Sequence, residues 1–197
     1  MKINLVALTT LLLAALTGRA QNNDRVVTNT GDTIACHISF AFIGGAAKYR
    51  TSENEKAIKI TTDNVKAYYV ADQSTWYRRV FYDYKTFLQR NKLWFMTVVE
   101  SGKINLYQMI VTTTSYGANG AMYSNSTTDW FASKGTDTAI LLKGALFGRQ
   151  KRKNEFADLL ADNKAVYDKY IAEDKFGFDE IQNLVHLYNT GGPYIKP

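Results

Sequence analysis

The 197-residue sequence has one cysteine, two prolines and two histidines. After its first twenty positions no apolar run is long enough to cross a bilayer as a helix, which takes about 20 residues. Each scarcity excludes something. A lone cysteine cannot close an internal disulfide or supply a multi-cysteine zinc site. Both prolines, Pro193 and Pro197, fall at the very end, so glycines and polar clusters must make the turns. A hydrophobic fraction of 46% excludes wholesale disorder.

The opening residues read as a secretory signal, residues 1–20. Lys2 is followed by a mostly apolar run over 3–16, and Gly18 and Ala20 are the small residues a signal peptidase reads. Cleavage after Ala20 leaves residues 21–197 as a single domain, and losing Lys2 and Arg19 takes the formal charge from +6 to +4. The first mature residue is then Gln21, not the lipid-bearing cysteine of a lipoprotein. The expected product is periplasmic or secreted, in the cell envelope.

Residues 21–143 read as β-rich. Val26-Val27-Thr28 and the stretch 33–38 form a hairpin around Gly31, with β-branched residues on both sides. Gly44-Gly45 breaks the chain, and short strands are expected at 57–61, 65–70 and 76–82. Residues 93–100 and 104–112 form a second hairpin through Ser101-Gly102-Lys103. Its apolar residues on both faces mark a central, two-sided pair. The Ser/Thr/Gly/Asn-rich stretch 113–128 reads as a long exposed loop. Short strands follow at Trp130-Phe131 and at 139–142. Cys36 lies in an alternating stretch as a small buried hydrophobe, and His37 points to the opposite face.

Beyond Lys143 the hydrophobic period becomes helical. Phe156, Leu159 and Leu160 form one stripe. Val166, Tyr167, Tyr170 and Ile171 form the next, and Phe178, Ile181, Leu184, Val185 and Tyr188 the third. Asn154 is the expected cap of the first helix, Gly177 separates the second and third, and Gly191 closes the last. The fold class is therefore α+β: an antiparallel twisted sheet or small open barrel, then three short helices over 154–190. Charge divides likewise, with 18 Lys/Arg against 10 Asp/Glu in 21–153 and 4 against 8 in 154–197. Acidic helices packed beside basic strands account for that division.

The segment 76–95 is the most unusual. Trp76, Tyr77, Phe81, Tyr82, Tyr84, Phe87, Trp94 and Phe95 interleave with Arg78, Arg79, Lys85, Arg90 and Lys92. Aromatic faces with cations stack on bases or on the apolar C–H faces of sugars. Export makes a glycan the better partner and argues against nucleic acid. Trp76, Tyr77, Arg78, Arg79, Tyr82 and Trp94 are thus the candidate ligand residues, unless they are ordinary strand formers with solvated cations. Lys143, Arg149, Lys151, Arg152 and Lys153 form a second basic cluster, read as a polar link from sheet to helix. Neither histidine, His37 nor His186, lies in a nucleophile, phosphate-loop or zinc motif, and no cofactor or metal is implied.

The signal ending Ala-Gln and the early Gly31-Asp32-Thr33-Ile34 carry a likeness, as do the Val98-Val99-Glu100-Ser101-Gly102-Lys103 hairpin with Leu106-Tyr107 and the final Ile181-Gln182-Asn183-Leu184-Val185-His186-Leu187-Tyr188-Asn189. In this order they resemble a family of uncharacterised secreted or periplasmic proteins of the Bacteroidota. The resemblance implies localisation and build, and no catalytic residues. Asp32-Thr33-Ile34 and Asp137-Thr138-Ala139 fit an acceptor pattern for O-glycosylation in exported proteins of that group, at Thr33 and Thr138. The function expected is non-enzymatic binding of an envelope protein or a glycan. The alternatives are a periplasmic hydrolase using scattered carboxylates and a structural component of an envelope assembly.

Overall fold

A computed structural model of the chain describes residues 24–40, 46–82, 93–135, 138–143 and 148–196. The signal segment, the Gly44-Gly45 break, Asp137 and Tyr84, Lys85, Phe87, Arg90 and Lys92 lie outside the described residues. The fold is α+β. Ten described strands form a mostly antiparallel sheet: β1 (Asp24–Thr28), β2 (Thr33–Ser39), β3 (Lys48–Arg50), β4 (Ile58–Lys59), β5 (Val65–Val70), β6 (Thr75–Tyr82), β7 (Leu93–Glu100), β8 (Ile104–Tyr116), β9 (Met122–Lys134) and β10 (Thr138–Lys143). Three helices follow: α1 (Arg149–Leu160), α2 (Lys164–Glu173) and α3 (Phe178–Thr190).

The sheet runs β10-β9-β8-β7-β6-β5-β1-β2-β3-β4, and β10 also pairs with β6. Strands β6 to β10 are an antiparallel meander of five, so its first and last members run in the same direction. They meet in the one parallel ladder among the described strands, Thr138 with Phe81 and Ala139 with Tyr82, and so close a barrel. All five strands fill its interior: Val80 and Tyr82, Met96, Tyr107, Phe131, and Ala139 and Leu141.

Two further apolar clusters lie outside that barrel. Val26, Cys36, Ile38, Tyr49, Ile60, Val65, Tyr68 and Val70 form the core of the N-terminal strands, joined by the outer-face residues Tyr77 and Phe95. Ile104, Leu106, Ala132 and Leu142, on the outer face of β8–β10, are covered by Phe156, Leu160, Val166, Tyr170, Ile181, Leu184, Val185 and Tyr188 of the helices. Full burial of each such side chain contributes roughly 1.5–3 kcal/mol, so the helices owe their place to this stripe. Ile171, read as part of the second stripe, instead lies 52% exposed on α2.

Other expectations change in instructive ways. The stretch 113–128 is not a loop: β8 and β9 continue through it in unbroken register to Tyr116 and Met122. Only Gly117 to Gly120 turn, and Trp130-Phe131 belongs to the long β9. Polar composition suggested a loop, but the β-branched threonines suit an extended ladder whose side chains face water. The first helix starts earlier than expected, at Arg149 with Gly148 as its N-cap, so Asn154 is an interior residue. The basic residues from Arg149 to Lys153 are thus its first turns. The brief strand β3 gave no periodic signal.

Candidate ligand groove beside the barrel

Strand β6 changes partners along one edge. Its first half pairs with β5, Thr75 to Arg78 lying against Val70 to Ala67, and its end pairs with β10 at Phe81 and Tyr82. Side chains alternate along a strand, so Trp76, Arg78, Val80 and Tyr82 share one face. Where β10 closes the barrel that face is interior, and Val80 and Tyr82 are buried. Where β5 is the neighbour the face opens into a groove of about 580 Å³. Its described lining is Val27, Gly31, Lys66, Ala67, Trp76, Arg78, Val98 and Ser101.

Trp76 is the aromatic residue of the described lining. Trp76 is 39% exposed and its ring centre lies 5.3 Å from that of Tyr69, tilted by 42°. Tyr69 sits opposite Trp76 in the β5–β6 ladder. Arg78 donates from Nη1 to Asn105 Oδ1 at 3.2 Å, which fixes the guanidinium and leaves its other N–H groups to bond elsewhere. Among the described lining residues Lys66 and Arg78 are cations and none is a carboxylate.

The six candidates do not form one surface. Trp76 and Arg78 meet in the groove. Tyr77 and Arg79 lie on the opposite face of β6. Tyr77 stacks on Tyr68 (4.7 Å, 11°) over the N-terminal core, and its hydroxyl donates to Gln73 Oε1 at 2.9 Å. Burial pushes the Tyr68 phenol well above its ordinary range, with the nearby Tyr77 adding to it. Arg79 donates to Asn29 Oδ1 (2.9 Å) and to the Thr62 carbonyl (2.7 Å), tying two N-terminal turns to the barrel wall. Tyr82 meets Phe131 edge-on inside the barrel at 4.9 Å, and Trp94 packs half-buried against the same core. Thr33 and Thr138 are both exposed at the starts of β2 and β10.

Sequence reasoning missed Tyr69, Lys66, Val98 and Ser101, which come to Trp76 and Arg78 only through strand pairing. It also missed how acids are held. Asp162 accepts from the Tyr188 hydroxyl (2.8 and 2.9 Å) and from Lys134 Nζ (2.5 Å). Lys134 also donates to the Leu159 carbonyl at the end of α1. Hydrogen bonds from Lys134 and Tyr188 hold the Asp162 carboxyl below its usual range. Burial opposes the charge of Lys134, yet its bonds to Asp162 and Tyr188 outweigh this and raise it above the ordinary lysine value. Glu100 and His186 Nδ1 lie 3.0 Å apart between the β7–β8 turn and α3. Lys153 pairs with Asp174, and Arg152 donates to the Leu142 carbonyl at 3.1 Å. These contacts pin the helices to the sheet and to one another.

Cys36 is a buried free thiol, pushed up to about 11 by burial and then by the charge of Asp24. That carboxylate accepts from the backbone N–H groups of Ile38 (2.7 Å) and Ala71 (2.8 Å), splicing β2 to the turn after β5. Among the described residues no cluster of three or more His, Cys, Asp or Glu could hold a metal ion. The chain was compared with protein-family models, with curated proteins and with solved structures, and nothing matches it.

Proposed function

We propose that this is a non-enzymatic binding domain of the cell envelope, exported by its N-terminal signal, and that its ligand is a glycan held in the groove of Trp76 and Arg78. The observation that carries the reading is the company Trp76 keeps. An exposed indole next to Tyr69 that shares its groove with two cations, with no acid among the described lining, suits a sugar ring. The apolar C–H face of the ring lies on the indole, while Arg78, Lys66 and Ser101 offer donors to its hydroxyl or acidic groups. Glycoside hydrolysis needs two carboxyl groups flanking the scissile bond, roughly 5–10 Å apart. Asp162, Glu100 and Asp174 are instead engaged in holding helices, and Asp24 in joining β2 to the turn after β5. Thr33 and Thr138 remain proposed O-glycosylation sites, and their exposure supports access by a transferase.

Gel retardation in embedded neutral and acidic polysaccharides tests the groove. The protein should be slowed by at least one polymer, and Trp76→Ala and Arg78→Ala should each restore free mobility. Wild-type mobility unaffected by every polymer, or retardation that survives both substitutions, refutes the proposal. Mass determination on protein recovered from the native envelope checks the rest: an N-terminus at Gln21 and added hexose mass on peptides holding Thr33 and Thr138.

A further inference from the structure

The outer face of the N-terminal strands is basic. Residues directly opposite one another in a sheet share a face. Arg25 stands opposite Tyr69 and Tyr69 opposite Trp76, so the three form one row across β1, β5 and β6. Arg78 shares that side by alternation, and pairing through β2 brings Arg50, Lys48 and Lys59 to it as well. The other side holds the apolar cluster of Val26, Cys36, Ile38, Tyr49 and Tyr68. Lys66 joins the basic face through a bulge. Val27 faces Ala67 and Thr28 faces Val65, so Lys66 is the extra residue on β5. Alternation from Tyr68 would turn Lys66 to the core; the bulge turns it into the groove with Arg78. Arg25, Lys48, Arg50, Lys59 and Lys66 are exposed, and Arg78 is half-buried.

Among the described residues no carboxylate pairs with these cations. Asp24 is the acid within strands β1 to β6, and it is buried, accepting from the Ile38 and Ala71 N–H groups. The other described acids before β7 lie in connections between strands, and Asp32, next to Gly31, accepts from the Thr30 hydroxyl at 2.6 Å. The described ion pairs of lysine with Asp or Glu all involve the helical part. Lys134 pairs with Asp162 and Lys153 with Asp174, and three more pairs span one turn within α1 and α2. The helices cover β8–β10, at the far end of the sheet order. Their acids are thus engaged near the helices, and the basic strands keep their charge.

We infer that the glycan of the groove is acidic, a chain bearing carboxylate or sulfate groups, and that it runs from Trp76 across the outer face of β5, β1, β2 and β3. The inference rests on the reading of the groove as a glycan site and adds the charge and length of the ligand. From β6 to β3 the sheet order crosses four strand spacings, about 19 Å at about 4.8 Å each, wider than a single sugar ring. A ring on Trp76 has Arg78 and Lys66 in the same groove and Arg25 two strands away. Anionic groups on successive rings therefore meet successive cations. The guanidinium groups of Arg25, Arg50 and Arg78 suit this role, because they take two oxygens of a carboxylate or sulfate at once. A neutral glycan gains nothing from a lysine turned into the groove by a bulge. A flat bilayer could meet the exposed cations but not fill a groove lined by Val27, Ala67 and Val98.

Titration calorimetry of the purified protein with polymers in charged and neutral pairs tests this: polygalacturonate against its methyl ester, and dextran sulfate against dextran. A charged member should bind about tenfold or more tighter than its neutral partner, and should weaken by about tenfold or more from about 50 to about 500 mM salt. Arg25→Gln and Lys66→Gln should each weaken binding roughly threefold to fivefold and flatten its salt dependence. Lys164→Gln, which removes the same charge from α2, should leave it unchanged, and circular dichroism should match wild type for all three proteins. A neutral polymer bound as tightly as its charged form, or binding indifferent to salt, overturns the acidic ligand and leaves the groove reading standing. Charged polymers preferred equally by wild type and Trp76→Ala overturn the groove reading itself, and silence of all four polymers overturns both. Duplex DNA or phosphatidylglycerol vesicles bound more tightly than either charged polymer assign the face to phosphate and overturn the glycan.

Discussion

Gly102 makes the space that Asn189 fills. A Cβ on Gly102 would collide with the carboxamide of Asn189, which donates to the Ile104 carbonyl (2.8 Å) and accepts from the Ile104 N–H (2.9 Å). The last helix thus reads the backbone of the β7–β8 turn as a neighbouring strand would. Asn189→Ala leaves two partly buried backbone groups without partners and should cost about 1–3 kcal/mol in urea unfolding. Gly102→Ala should cost a similar amount, about 1–3 kcal/mol, by overpacking. The double variant should cost clearly less than the sum, because removing the carboxamide removes the collision. Additive costs would show that the two residues do not share this contact.

Tyr82 and Trp76 share a face of β6 and should behave oppositely. Tyr82→Ala empties part of the barrel interior and should lower stability by about 3 kcal/mol or more. Trp76→Ala removes an exposed ring and should change stability by under about 1 kcal/mol while abolishing retardation in polysaccharide gels. Denaturation midpoints and gel mobility, measured on both variants, separate the two roles.

Cys36 should be nearly inert in the folded protein. Its thiol is raised from about 9 to about 11, which lowers the thiolate population about a hundredfold at pH 8. Reaction with a thiol reagent should be slow until denaturant is added. Because the folded value lies above the unfolded one, this group contributes stability that is complete below pH 9. That contribution is lost as pH rises from 9 towards 11. Cys36→Ala should flatten the alkaline fall in stability.

Asp162 works in the other direction. Its carboxyl is held down by Lys134 and Tyr188, so its contribution is present above the unfolded value of 3.8 and lost as pH falls through the lower, folded value. Asp162→Asn should remove part of the acid-side slope of stability and, because Lys134 loses the partner that raises it, part of the alkaline fall as well. Tyr188→Phe should cost about 1 kcal/mol at neutral pH.

Much of this was legible in the sequence because hydrophobic periodicity is a local property. The apolar and β-branched runs Val65 to Val70 and Leu93 to Glu100 and the stripe from Ile181 to Tyr188 mark strand, hairpin and helix whatever their neighbours. Cys36 as a buried hydrophobe and Gly191 as a left-handed cap (φ 77°) follow from the same local chemistry. The polar ribbon misread as a loop shows where local reasoning stops. Strand propensity and a backbone ladder anchored at Ile104 and Lys134 hold it extended, although almost nothing along it is buried.

What tertiary structure alone decided is which residues share an environment. Trp76 and Tyr82 have the same parity on one strand, yet one is exposed in a groove and the other sealed in a barrel. The difference is set by residues far away in the chain: β5 lies beside the first half of β6, and β10 beside its end. Likewise, the turn around Gly102 and the helix ending in Asn189 are each visible as segments, but their contact depends on how the helices fold back over β8. Burial is a property of the closed sheet and its covering layer, and no window of sequence contains both partners.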